Sequence, residues 1–267
     1  MRSRLLFPSL LAALLSLSAC RHEAAKEPDP LRLETRKFER SLAGCGDTSK
    51  RAEACVTFRV QWPEAVAAKT AEAKARINAA ILGRLQPAEA PRGFEAEAAQ
   101  TITDYQQFRQ QFPDSAIAYF TRRVAEPVLV STGLLSVEIT SEEFRGGAHP
   151  ESTREFLNLN PATGEQVELG SLLRGGARER LQAAAERRFR AERGLDASQD
   201  LAEAGYTFDN NRFALPTRWG AGPRGLMFHF NTYEIAPYSM GPATITVPWS
   251  ELGELLRKDS GLPPGSR

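Results

Sequence analysis

The chain has 267 residues, 42% of them hydrophobic and 25% charged, with a formal net charge of +1. That is an ordinary globular composition with room for one large domain or two small ones, and it excludes disorder throughout and a polytopic membrane protein. The near-zero charge gives no reason to expect a nucleic-acid partner.

The chain opens with Arg2 and Arg4, followed by the apolar stretch from Leu5 to Leu15. This is the layout of a secretory signal, and it is too short to span a bilayer. It ends in Leu17-Ser18-Ala19-Cys20, which resembles the lipobox of bacterial lipoprotein signal peptides. The resemblance implies cleavage after residue 19, acylation of Cys20 and anchoring to a membrane through its acyl chains. Arg21 in place of an aspartate implies sorting to the outer membrane, facing the periplasm. Residues 1–19 carry two arginines and no acid, so the processed chain is close to neutral. Residues 20–30, with Pro28 and Pro30, read as a tether that includes His22. Cys45 and Cys55 remain as a pair in an oxidising compartment, and a disulfide is the simple reading. A metal site on two cysteines without a nearby histidine is the poorer alternative.

An N-terminal α+β region is expected over 31–132. Leu31 to Phe38 alternates loosely as a strand. Cys55–Val60 is a better one, ending at Pro63. Val66, Thr70, Ala73, Ile77, Ile81 and Leu85 then fall at helical spacing. Thr101–Phe112 reads as a second helix, stopped by Pro113. Ala116–Arg123, Pro127–Ser131 and Leu134–Phe144 read as three strands of a meander, the last opening a C-terminal domain over 133–257. Gly146-Gly147-Ala148-His149-Pro150 is a turn, Ser152–Leu159 the returning strand, and Gln166–Leu169 a short further strand. A helical region starts at Ser171. The helix with Leu181, Ala185 and Phe189 on its buried edge is capped by Gly194. Arg212–Leu215, Gly225–Phe230 and Ala243–Val247 read as strands. Trp249–Leu256 reads as a closing helix capped by Ser250, and 258–267 as a disordered tail. The order gives an α+β fold with mostly antiparallel strands and packed amphipathic helices.

Motifs of catalysis are sparse. The spacing Gly220-Ala221-Gly222-Pro223-Arg224-Gly225 fits a dinucleotide loop only formally. A strand follows it where a helix N-terminus is required, so a hairpin turn is expected. His149 and His229 lack a ligand-spaced partner. Their convergence with Glu234 on a metal, or in an unrecognised hydrolase, is the minor reading, and no metal or cofactor is expected. The arginines at 174, 178, 180, 187, 188, 190 and 193 outnumber the neighbouring acids. They read as a solvated helix face, with lipid headgroups or an acidic glycan as the alternative.

The most distinctive stretch is Phe228-His229-Phe230-Asn231-Thr232-Tyr233-Glu234-Ile235-Ala236-Pro237-Tyr238-Ser239-Met240-Gly241. One reading is a packed loop, with Ile235 buried beneath the tyrosines and Glu234 capping backbone amides. The other is a protein-binding loop anchored by Tyr233, Glu234, Ile235, Pro237 and Tyr238. Together with Ile245-Thr246-Val247-Pro248-Trp249-Ser250-Glu251-Leu252, Gly146-Gly147-Ala148-His149, the segments 157–164 and 169–173, it resembles the RsiV-like family, the domain of unknown function numbered 3298. The upstream part, with the cysteine pair and the Ile77-Asn78 helix, resembles the companion domain numbered 4163. In the RsiV branch the domain is the outer part of an anti-sigma factor and binds lysozyme. Similar domains precede the catalytic part of PdaC-type peptidoglycan deacetylases. The sequence shows neither a sigma-binding segment nor a deacetylase domain, so those activities are not carried over. The expectation is a non-enzymatic envelope binding module that recognises or inhibits a lysozyme-type muramidase. The alternative is a peptidoglycan-binding or envelope-maintenance scaffold.

Overall fold

The computed structural model describes residues 31–42, 45 and 55–262. The signal peptide, Cys20, the tether with His22 and residues 263–267 lie outside the described residues. The fold is α+β, as expected. The strands β1 (Arg32–Ser41), β2 (Val56–Ala67), β3 (Tyr119–Val130), β4 (Leu135–Phe144) and β5 (Glu151–Leu159) form a five-stranded sheet in sequence order. All its neighbours are antiparallel except β2 and β3. That parallel pair needs a crossover, and the helices α1 (Ala71–Leu85) and α2 (Phe94–Gln111) supply it. The strands β6 (Trp219–Gly222), β7 (Gly225–Phe230) and β8 (Ala243–Pro248) form a second, antiparallel sheet. Between the sheets in sequence lie the short helix α3 (Leu169–Leu172) and the long helix α4 (Ala177–Arg193), and α5 (Trp249–Leu252) follows β8.

Alternation along β4 and β5 explains the layering. Leu135, Val137, Ile139, Leu157 and Leu159 point to one face and pack with Ile77, Ile81 and Leu85 of α1. The residues between them point the other way, where β6 lies. Strands expected in the C-terminal domain thus complete the N-terminal core. The second core joins the three-stranded sheet to α4, where Phe189 meets Phe230 and Phe213. Gly194 ends α4 in the left-handed conformation at φ 66°, as expected.

The two sheets are joined by buried polar groups. Ser136 of β4 donates to Asn158 of β5 at 2.8 Å and accepts from the Ala221 amide of β6 at 3.0 Å. Asn158 donates to the Trp219 carbonyl at 2.6 Å. Gly220, between them, sits so close to Phe156 that a Cβ there would overlap the ring. A second buried link holds α2 to the sheet. The Arg123 guanidinium makes a two-point pair with Glu97, donates to the Leu85 carbonyl and lies over the Phe58 ring. The Cys45–Cys55 disulfide is formed.

Several boundaries differ from expectation for identifiable reasons. β2 does not stop at Pro63. By that point the ladder to β3 has ended and only β1 is paired, so a missing amide is tolerated. Asn78 then hydrogen-bonds the backbone of Ala65 through both its amide atoms, and α1 begins only after Thr70, which caps Ala73. α2 starts two turns before Thr101, where Phe94 and the buried Ala98 continue the stripe of Thr101 and Tyr105. Ala116–Arg123 and Pro127–Ser131 are not two strands but one, β3, with an irregularity between Pro127 and Leu129. Gln166 makes only an isolated bridge, to Leu159. Arg212–Leu215 is not a strand; the strand is Trp219–Gly222, and Gly220–Gly225 spans the expected hairpin. The closing helix is one turn, and Ser250 does not cap it. Residues 258–262 do not fray: Gly261 accepts from the Gly133 amide and Leu262 is buried. Among the described residues no helix is long and apolar enough to cross a membrane.

Breaking one side of the Arg123–Glu97 pair strands a charge that is only 6% exposed. Glu97→Ala is therefore expected to lower unfolding free energy by about 3 kcal/mol or more in urea titration. The double change Glu97→Leu with Arg123→Met should cost much less. Equal losses in the two proteins would contradict this reading of the pair.

Candidate functional site

The sheets diverge at the end where β5 begins and leave an open cleft of about 900 Å³. Its floor is the outer face of the five-stranded sheet: Arg122 of β3, Thr140 and Glu142 of β4, and Ser152 and Arg154 of β5. Its back wall is His229 and Thr244 from the second sheet. Its rim is the His149-Pro150 turn on one side and the loop from Asn231 to Pro242 on the other.

Asn231 fixes that loop. Its Oδ1 accepts from the Arg154 amide at 2.7 Å and its Nδ2 donates to the Arg154 carbonyl at 3.1 Å, so one side chain bonds the edge of β5 as a strand would. The Asn231 amide donates to Glu234 at 2.9 Å, and Glu234 takes two bonds from Arg218 at 2.8 and 2.9 Å. At the loop's far end Arg193 of α4 donates to the carbonyls of Met240 and Pro242. Held at both ends, the loop carries Tyr233 at φ +68°, a backbone conformation unusual for a bulky residue.

The result is a cluster of three rings. His149 stacks on Tyr238 with centroids 3.9 Å apart and planes 15° apart, and Tyr233 lies 5.7 Å from Tyr238. The Tyr233 hydroxyl is 3.4 Å from His149 Nε2. Tyr233 and Tyr238 are 64% and 45% exposed, unusual for large rings held in fixed positions.

The five residues singled out in this loop divide. Tyr233 and Tyr238 reach the cleft. Ile235 is buried in the second core, Glu234 is turned to Arg218, and Pro237 is exposed outside the cleft lining. His149 and His229 do meet at one cleft, but Glu234 does not join them. His229 is 3% exposed, with Nε2 3.2 Å from the Asn231 oxygen and Nδ1 2.8 Å from the Thr244 hydroxyl. The Asn231 oxygen is an acceptor, so Nε2 carries the proton and Nδ1 accepts from Thr244. Burial first, and then the nearby Arg154 charge, lower the His229 pKa to about 4. Among the described residues no three His, Cys, Asp or Glu side chains are grouped to hold a metal ion. The α4 arginines are mostly engaged: Arg187 and Arg188 meet Glu251, and Arg190 meets Glu186 and two carbonyls.

The floor residues Arg122, Thr140, Glu142, Ser152 and Arg154 were not legible as a site. Each reads as the solvent face of a strand, and only the docking of the second sheet turns that face into a cleft. Asn231 was quoted within the motif, but its partner, the Arg154 backbone, is 77 residues away in sequence.

Comparison with known proteins places these features. Residues 171–250 match the family described as "Protein of unknown function (DUF3298)", and residues 49–152 match the family "Deacetylase PdaC". Two solved structures share the architecture. A member of the DUF3298 family from Bacteroides fragilis has a TM-score of 0.63 and 20% identity, covering 88% of this chain and 96% of that one. A DUF3298 family protein from Pseudomonas aeruginosa has a TM-score of 0.60 and 19% identity, covering 88% and 99%. At these identities the likeness shows the fold. No curated protein matched the chain.

The lowered His229 pKa has a consequence for stability. Between the unfolded value near 6.5 and the folded value of about 4, the unfolded chain binds more protons, so stability rises with pH in that window. Stability should be level above pH 6.5 and fall by about 2–3 kcal/mol on acidification to pH 4. His229→Gln should remove most of that slope in urea titrations at pH 7, 5.5 and 4. An unchanged slope would contradict the assignment.

Proposed function

We propose that this chain is a lipid-anchored protein of the bacterial envelope that works as a non-enzymatic binding module, and that the cleft is a site for peptidoglycan glycan. The anchor is Cys20, acylated in the outer membrane and facing the periplasm, as Leu17-Ser18-Ala19-Cys20 and Arg21 imply. The observation that carries the binding reading is the cleft itself, open, rimmed by His149, Tyr233 and Tyr238 and lined by the hydroxyl-bearing residues Thr140, Ser152 and Thr244. A sugar ring has an apolar face and a polar edge. Aromatic rings beside fixed hydroxyls complement both, and concave sites with a few placed polar groups are where such ligands bind.

The register of the sheet supports this display. The first described residues, from Leu31, lie beside the end of β2 at Ala67, whereas the cleft lies toward the end where Val56, Tyr119 and Phe144 meet. The length of β2 separates those ends by about 35 Å. A module tethered through residues 20–30 would hold its cleft away from the anchored end.

A second reading is a protein partner, a lysozyme-type muramidase, as the resemblance to RsiV implies. The exposure of Tyr233 and Tyr238 on a held loop favours it, because rigid tyrosines are frequent anchors of protein interfaces.

Pull-down of the purified protein on sacculi should retain it, and Tyr233→Ala or Tyr238→Ala should weaken retention about tenfold or more. Calorimetry with a c-type lysozyme at physiological salt checks the second reading. Retention on sacculi without lysozyme binding supports the glycan reading. Tyrosine-dependent lysozyme binding with no sacculus retention replaces it with the muramidase reading, and neither result would remove both.

A further inference from the structure

Resting on the reading of the cleft as a glycan site, we infer that it selects sugar chains carrying a carboxylate, and that the Arg154 guanidinium is the group that reads the charge. The arginines committed elsewhere in the fold set the contrast. Arg123 is committed to Glu97 and Arg218 to Glu234, each through two hydrogen bonds of 2.6–2.9 Å. Arg193 is committed to two carbonyls.

The two cleft arginines are not committed in this way. Arg122 faces Glu142 and Arg154 faces Glu138, both at 3.7 Å, too far for a hydrogen bond. Among the described residues, the one side-chain hydrogen bond of Arg154 goes to the Thr244 hydroxyl at 3.5 Å, the outer limit of such a bond. A planar guanidinium with free donors in an open cavity matches the two oxygens of a carboxylate.

Arg154 is the better placed of the pair. Each has one acid at 3.7 Å, but Glu142 shares the cleft with Arg122 and would face an anion bound there, whereas Glu138 lies outside the cleft lining. The other acid of the cleft, Glu151, stands at the exposed start of β5. His229 behind Arg154 is neutral above pH 5, with its pKa lowered to about 4 partly by the Arg154 charge. Arg154 is therefore the cation with donors open to the cleft, beside the Thr244 hydroxyl and on the same floor as Thr140 and Ser152. Its backbone is held independently by Asn231, so replacing the side chain leaves the loop attached.

The test uses glycan strands released from sacculi by an amidase, which hydrolyses the amide to each stem peptide and so frees the lactyl carboxylate of the muramic acid. The same strands with those groups amidated by carbodiimide are the control. Binding of the whole chain after residue 19, with Cys20→Ser, is followed by calorimetry. Native strands should bind about tenfold more tightly than amidated ones. Arg154→Gln should abolish that difference by weakening native strands to the level of amidated ones, with an unaltered melting temperature. Glu138→Gln, which removes the competing acid, should strengthen binding of native strands only, and gives the readout if Arg154→Gln does not fold. Equal binding of native and amidated strands, or loss of both in Arg154→Gln, would overturn the inference while the glycan site stands. Tighter binding of triglutamate than of native strands would overturn the sugar assignment in favour of an acidic peptide. Binding of neither strand would remove the glycan reading and this inference with it.

Discussion

Two asparagines set the relation between the two sheets, and everything at the site follows from it. Asn158 carries the outer face of the five-stranded sheet to the Trp219 carbonyl of β6, and Asn231 carries the loop after β7 back to the Arg154 backbone of β5. Both bonds land on or leave from β5, four residues apart. At the Asn158 end the sheets are in contact, with Gly220 against Phe156 and Ser136 bonded across. At the Asn231 end they are held apart by a side chain instead of a packed core. An amide side chain can do this because it presents a donor and an acceptor in the same spacing as a strand edge, and a buried amide left without both partners would cost about 1–3 kcal/mol. The cleft is the space that this second attachment keeps open.

Much of the fold was legible because it rests on local pattern. Ile77, Ile81 and Leu85 repeat at helical spacing and are fully buried, and Gly194 ends α4 where a glycine was needed. The disulfide followed from the cysteine count and the expectation of export. The errors fall where tertiary context overrides a local signal. Pro63 read as a stop and Pro127 as the start of a separate strand, but each sits where the sheet has an open or irregular edge. Trp219–Gly222, half glycine, has no strand signature of its own. It becomes a strand because Ser136 and Asn158 supply bonds to it from the other sheet. Leu262 is buried only because Gly133 and Gly261 leave room for the chain to return.

The site was legible in part. Tyr233, Tyr238, His149 and His229 stood out as residues, but convergence was raised only for the two histidines with Glu234, and nothing in the sequence joined the tyrosines to them. The turn at His149 and the loop at Tyr233 are 84 residues apart and meet only through the docking of the sheets. The motif's other members have structural duties. Ile235 fills the second core, and Glu234 is the acceptor that lets Asn231 and Arg218 fix the loop. A motif that reads as one recognition loop is thus two exposed rings on a frame of buried and paired residues. The strain at Tyr233 belongs to that frame: the backbone is held in an uncommon conformation so that the ring faces outward. The arginine-rich α4 also serves the frame, since Arg193 holds the loop's far end.

The central claim is that ligand binding is confined to the divergent end of the two sheets. Hydrogen–deuterium exchange of the whole protein, with and without soluble glycan strands, tests it directly. The account predicts added protection in 149–154 and 229–244 and none along α4 or β1. Protection concentrated on α4, or none anywhere at saturating strand concentration, would contradict it.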